Sequence, residues 1–395
     1  MVSRVMEHSD GLGWWPLLVL VLGRLIFNAA FRIVYPLLAF LANGFGVSLE
    51  TVSLLVTIQV AATLISPIGG MVSDARGERF TLLLGMAIYG LGTLLCALTD
   101  QFGLFLVGYS LIGLATALYM PAVQSYASAR SNYAQRARVL GILELSWALA
   151  ALLGVAGLTA LIEVNNDWTP AYWVLFGLGL VMMALSLTLP GDPPRVPRNA
   201  QEPQMRLATL LRRPEIFAAL ALVFCQLAAV ELIFVVYAGW LEQDFGASTQ
   251  QLGQIFGLLG IVELLGASAA TLLTDRIGKR RAVLFGFAAV ALSMLLLPFS
   301  SGNWALFLLF FLLFDLVFEF SIVSAFPLMS GLTHQGRGTV LAATVGVIGL
   351  GRILGSVVGP RLFVAYGFGA NAWLAAGLAV IGVVIGVLLV REGDA

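Results

Sequence analysis

The chain has 395 residues, 60% of them hydrophobic and only 11% charged, with 21 cationic side chains balancing 21 anionic ones. A soluble domain carries roughly a quarter charged residues, and so few charges could not cover the apolar surface of a fold this size. The composition excludes a soluble globular fold, and the zero net charge offers nucleic acid no basic surface, so the bilayer is the expected solvent.

Residues 1–13 are of mixed polarity. The apolar run that follows is too long for the core of a cleaved signal and contains arginine, so an uncleaved first span is expected. Runs of spanning length lie near 14–41, 49–73, 80–98, 102–128, 138–163 and 169–189, then near 214–241, 249–273, 281–299, 303–330, 337–362 and 368–390. Between the two sets, residues 190–213 are rich in proline and arginine and read as a linker. The expected organisation is an all-α integral membrane protein of twelve transmembrane helices in two pseudo-symmetric six-helix halves, residues 1–189 and 214–395, joined by a cytoplasmic linker over 190–213. Cys96 and Cys225 fall inside apolar runs, and His8 and His334 lie in polar connections. A disulfide, a metal site, a histidine dyad and a cofactor are therefore not expected.

Cation placement sets the orientation. With both termini taken as cytoplasmic, 17 of the 21 cations fall on that side, five of them in the linker. The opposite loops carry Glu50, Asp100, Asp167, Glu242 and Asp244 instead. This predicts a multi-pass protein of the cell (inner) membrane with an even number of spans. The halves also repeat. Residues 45–74 open with Phe-Gly-Val-Ser and close on Asp74, and residues 245–275 open with Phe-Gly-Ala-Ser and close on Asp275. A duplicated six-helix unit suits alternating access, in which one half rocks against the other.

Two polar turns follow these segments. One contains Gly70, Asp74, Gly77 and Arg79, and the other Asp275, Arg276, Gly278 and Arg280. Glycine permits the sharp reversal, and an aspartate at the helix end can pair with the nearby arginines. The turns resemble the signature loop of the major facilitator superfamily, G-x-x-x-D-R-x-G-R-R in outline, and the likeness extends over nearly the whole chain. It implies a secondary transporter, usually monomeric, in which these eight residues gate the halves. Ala75 and Glu78 stand at positions the family pattern makes basic.

Ionisable side chains inside the spans are costly and point to function. Arg24, Asn28 and Arg32 recur at steps of four along the first span, with Tyr35 extending the face. The acidic complement is Glu144, Glu231, Glu263, Asp315 and Glu319, and Arg352 lies among glycines in the eleventh span. Five deep carboxylates outnumber three deep arginines, which suggests proton coupling through Asp315, Glu319 and Glu231. Glu231 lies at nearly the repeat-equivalent depth of Arg32, so these two are expected to face each other. Trp147 and Tyr237 are the leading aromatic candidates for the cavity wall, with Phe27, Tyr119 and Phe318 behind them. The family's fourth helix often carries an arginine where this chain has Tyr109. The glycines of the eleventh span, Gly346 to Gly359, read as helix packing.

Enzyme motifs of the G-x-S-x-G or H-E-x-x-H kind are absent, as is a phosphate loop. The expected function is proton-coupled export of a small amphipathic solute, resembling the drug:proton antiporter group. Uptake of a small anionic metabolite clamped by Arg24 and Arg32, or lipid translocation, are the alternatives.

Overall fold

Backbone inside hydrocarbon must satisfy its own N–H and C=O groups, so apolar runs of spanning length become helices. The computed structural model describes residues 12–131, 139, 142–143, 145–192, 212–332 and 337–390, and every regular element among them is helical. Eleven helical stretches among the described residues are long and apolar enough to cross a membrane.

The first span divides into α1 (Trp14–Arg32) and α2 (Val34–Phe45). Pro36 causes the division: it has no N–H to offer the Arg32 carbonyl four residues back. The second span breaks into α3 (Leu49–Val52), α4 (Leu54–Thr63) and α5 (Ser66–Arg76). Ser48 caps α3 by accepting from the Thr51 N–H. Between α4 and α5 the Ile65 N–H reaches back only to the Ala62 carbonyl, and the Ile68 N–H only to Ile65, which tightens the chain before Pro67 restarts the helix. The expected continuous helix over 49–73 is therefore three shorter ones.

α6 (Glu78–Leu98), α7 (Phe102–Ala129), α8 (Leu145–Asn165) and α9 (Thr169–Ser186) follow. Within α8, Ala150–Val155 form a π-helical stretch. The seventh span divides into α10 (Pro214–Phe234) and α11 (Tyr237–Phe245). α12 (Thr249–Ile277) opens on a capping box between Ser248 and Gln251. α13 (Lys279–Leu296), α14 (Trp304–Gly331), α15 (Arg337–Tyr366) and α16 (Phe368–Leu389) complete the chain.

Contacts divide the chain into two units. One comprises residues 1–34 and 62–195, the other 35–61 and 196–395. Two of the boundaries thus fall inside the first two spans. In the first unit α6 packs on α7 and α9, and α1 packs on the π stretch of α8. In the second unit α10 is the centre, packed on α15 and α16, while α13 and α14 pair. Apolar side chains of α10, α13, α14 and α15, including Leu222, Phe287, Met329 and Val340, fill the space between them.

The repeat extends to backbone geometry. Gly77 and Gly278, 201 positions apart, both sit at positive φ, 109° and 93°, between consecutive helices. Only glycine takes these angles without strain, which is why both turns carry it. The first and seventh spans are also both broken next to a Val-Tyr pair: at Ile33, before Val34-Tyr35, and at Val235-Val236, before Tyr237.

Candidate functional site

In the first unit the basic face of α1 is buried. Arg24, Asn28 and Arg32 are 5%, 2% and 3% exposed. Asn28 Nδ2 donates to Ser146 Oγ at 3.2 Å. The Arg32 guanidinium lies over the Trp147 ring, 4.3 Å from its centroid, and donates to the Trp147 carbonyl at 3.4 Å. Phe27 stacks on Tyr119 at 4.2 Å. Tyr109, where the family pattern has arginine, donates its hydroxyl to the Ala30 and Phe31 carbonyls at 3.1 and 3.3 Å. Those carbonyls belong to the last turn of α1, where the helix runs out of its own donors. Glu144 lies outside the described residues.

In the second unit Tyr35, Glu231 and Arg352 meet. Arg352 Nε donates to Glu231 Oε2 at 2.9 Å, and the Tyr35 hydroxyl donates to Glu231 Oε1 at 2.8 Å. Arg352 Nη2 also donates to the Tyr35 hydroxyl, closing a three-membered ring of charge-assisted bonds. Glu231 is 2% exposed. Its arginine partner is Arg352 on α15. The reason is local: α10 and α15 are in close contact, and Gly355 lets their backbones approach until a Cβ built there would stand 2.6 Å from the Glu231 Cβ. Gly351, Gly355 and Gly359 of α15 therefore lie against α10 and the residue that follows it, whereas a Cβ built at Gly346 would meet nothing within 4 Å. Thr57 and Ser356 share a hydrogen bond at 2.9 Å one turn further along α15.

Tyr237 is fully buried among aromatics, with Phe256, Phe311 and Phe234 within 6.5 Å of its ring. Glu263 on α12 and Asp315 on α14 are buried, and Glu319 is half-buried one turn beyond Asp315. Glu319 packs on Gly266, whose added Cβ would stand 2.9 Å from the Glu319 Cβ. Since Glu263 is one turn before Gly266, all three carboxylates belong to the α12–α14 interface.

The turn residues bind their own unit. Arg79 Nη2 donates to the Leu187 carbonyl at the end of α9, and Arg280 Nε and Nη2 donate to the Val390 and Val387 carbonyls of α16 at 2.6 and 2.7 Å. Each arginine, 201 positions from its counterpart, caps the last helix of its half, where carbonyls lack intrahelical donors. Arg280→Gln is expected to cost about 1 kcal/mol and to speed hydrogen exchange at the end of α16. Replacing the neighbouring Lys279 with alanine should leave that exchange unchanged. Gly70 is half-buried with open space beside it; Asp275 and Arg276 are exposed at the end of α12, and the side chain of Asp74 lies outside the described residues.

Asp192 is a participant the sequence reading missed. Its carboxylate accepts from the Arg79 N–H at 3.2 Å, at the start of α6, and from Arg130 Nη2 at 3.1 Å. A carboxylate at a helix N-terminus is favourably placed. Glu78, the departure from the family pattern, lies 3.7 Å from Arg130 and accepts from the Ser125 hydroxyl. Arg130 in turn covers the Tyr126 ring at 3.6 Å. The Pro-Gly-Asp string after the sixth span was the available signal.

A buried ion pair between membrane-spanning helices, in a chain whose turns recur about 200 positions apart, points to a multi-pass membrane transporter. The Major Facilitator Superfamily profile matches residues 20–239 and 219–395, and the chain belongs to that family. It is 25% identical over 393 residues to the uncharacterised MFS-type transporter YwfA of Bacillus subtilis strain 168, covering 95% of this chain and 92% of the relative. The fosmidomycin resistance protein of Escherichia coli K12 is 25% identical over 326 residues, with coverage of 80% and 79%. A crystal structure of a D-xylose-proton symporter superposes with a TM-score of 0.80 at 17% identity, over 96% of this chain and 98% of that one.

Proposed function

We propose that this transporter exports a small amphipathic organic solute in exchange for protons, with Tyr35, Glu231 and Arg352 as the coupling element. The observation that carries the reading is the buried carboxylate of Glu231, bonded at once to a guanidinium and a phenol. A proton taken up by Glu231 removes the charge that holds both partners, so protonation and helix contact become linked. Asp315 and Glu319, one turn apart on α14, are further proton carriers in this scheme, and Glu263 faces the same interface. Arg24, Asn28, Arg32 and Trp147 supply the wall that meets the solute. The turns at Gly70–Arg79 and Asp275–Arg280 keep the gating role, with Arg79 and Arg280 stiffening their own units. Arginine asymmetry supports cytoplasmic termini, and a relative named for resistance to a compound supports export.

Uptake of a small organic anion is the second reading, favoured by two arginines buried on one face of α1. One experiment separates them. Purified protein in liposomes with an internal pH-sensitive dye is given a proton gradient and pools of lipophilic cations, organic anions or fluorescent lipids. Proton flux evoked by one pool, and reduced in Glu231→Gln, Asp315→Asn or Glu319→Gln, supports coupling and names the solute class. Equilibration of a pool without any proton movement would sink it.

A further inference from the structure

α8 is not a plain helix. Residues Ala150–Val155 wind as a π helix, and this stretch packs on α1. A π turn takes in one extra residue, which rotates everything after it relative to everything before it. The rotation has a measurable consequence. In an unbroken α-helix the step from Ser146 to Gly154 would leave the two about 80° apart around the axis. With one residue absorbed by the π turn they come to within about 20°. Both then meet α1: Ser146 accepts from Asn28, and Gly154 lies against Ala29.

The contact at Gly154 is the tight point of the pair. A Cβ built there would stand 2.6 Å from the Cβ of Ala29. On either side of Ala29, Asn28 and Arg32 contact Ser146 and Trp147 of α8. The position of Trp147 over the Arg32 guanidinium therefore depends on how closely α1 and α8 cross at Ala29.

We propose that Gly154, with the π turn that aims it at Ala29, is a positioning residue that sets Trp147 on Arg32 and so shapes the solute-facing wall of the first unit. Gly154 touches no solute; it acts through the separation and register of two helices. The functional half of this statement rests on the reading that Arg32 and Trp147 face the solute, whereas the positioning half stands on the geometry alone.

The test is fluorine NMR on the full chain in lipid nanodiscs, with its eight tryptophans replaced biosynthetically by 5-fluorotryptophan. The Trp147 resonance is assigned by its loss in Trp147→Phe. Gly154→Ala is expected to displace that resonance by more than its linewidth while the other tryptophans hold their shifts. Moving the methyl group, in the double variant Gly154→Ala with Ala29→Gly, is expected to bring it back. Ala29→Val presses on the same contact from α1 and should displace the same resonance. It carries the test should Gly154→Ala yield no folded protein. An unmoved Trp147 resonance in the folded variant overturns the proposal, and so does a displacement that the double variant leaves in place. Failure of the solute-wall reading has a separate signature. In that case Trp147→Ala leaves the flux of all three probe pools unchanged, whatever the resonance does.

Discussion

Glu231→Ala is expected to destabilise the purified protein by about 3 kcal/mol, the low end for breaking a buried ion pair, because Arg352 is 22% exposed and recovers some hydration. The loss comes less from the missing attraction than from the stranded guanidinium and the Tyr35 hydroxyl that no longer has its carboxylate. A second substitution checks this account. Arg352→Met in the Glu231→Ala background removes the stranded charge and fills its volume with apolar atoms. The double variant should then be more stable than the single one, since apolar replacement of a whole buried pair is often neutral or better. Thermal unfolding in detergent, followed by intrinsic fluorescence, reads both. Equal midpoints for the single and double variants would show that the pair is not coupled. Glu231→Gln keeps the shape and can still accept hydrogen bonds, so it separates charge from packing. It should unfold later than Glu231→Ala yet lose proton-linked flux.

Gly355→Ala is expected to cost about 1–3 kcal/mol, the usual penalty for overpacking a tight contact. The added methyl would stand 2.6 Å from the Glu231 Cβ, 2.8 Å from the Ala228 carbonyl oxygen and 3.0 Å from the Leu232 nitrogen. Two of those three are backbone atoms and cannot rotate away, so α15 must move off α10. That movement also stretches the Arg352–Glu231 bond. Gly346→Ala on the same helix is the control, because nothing lies within 4 Å of a Cβ built there. It should be neutral or slightly stabilising, since alanine is the better helix former. If both substitutions lower the midpoint alike, helix flexibility and not close approach is what the glycines of α15 supply.

Much of the architecture was legible because its signals are long. Twenty-residue apolar runs, a charge bias summed over many loops and a repeat of about 200 positions each average over many residues. The site is a different matter. Arg24, Asn28 and Arg32 were readable as one face, since a step of four is a property of a single helix. Arg352 as the partner of Glu231 was not readable, because depth in the bilayer ranks residues along one axis and says nothing of which helices adjoin. The Gly355 contact decides that adjacency, and a glycine advertises proximity without naming its neighbour. Asp192 was hidden in the linker, where a charged residue looks like any solvated one until its position at the start of α6 is known. The π turn of α8 leaves no mark in Ala-Ala-Leu-Leu-Gly-Val, since an extra residue in a helix changes phase and not composition.

The placement of residues 35–61 bears on how the chain is made. Tyr35 and Arg352 are separated by 317 positions, and Thr57 and Ser356 by 299. On a ribosome that adds about 5–20 residues per second, the first two spans enter the bilayer tens of seconds before α15 exists. During that interval Tyr35 meets Glu231 once α10 is made but lacks Arg352, and Thr57 lacks Ser356. The last third of the chain thus supplies the bonds that fix part of its beginning. Separate synthesis of the two halves, cut anywhere in the linker, would leave that early segment waiting for a partner that must find it by diffusion in the membrane plane.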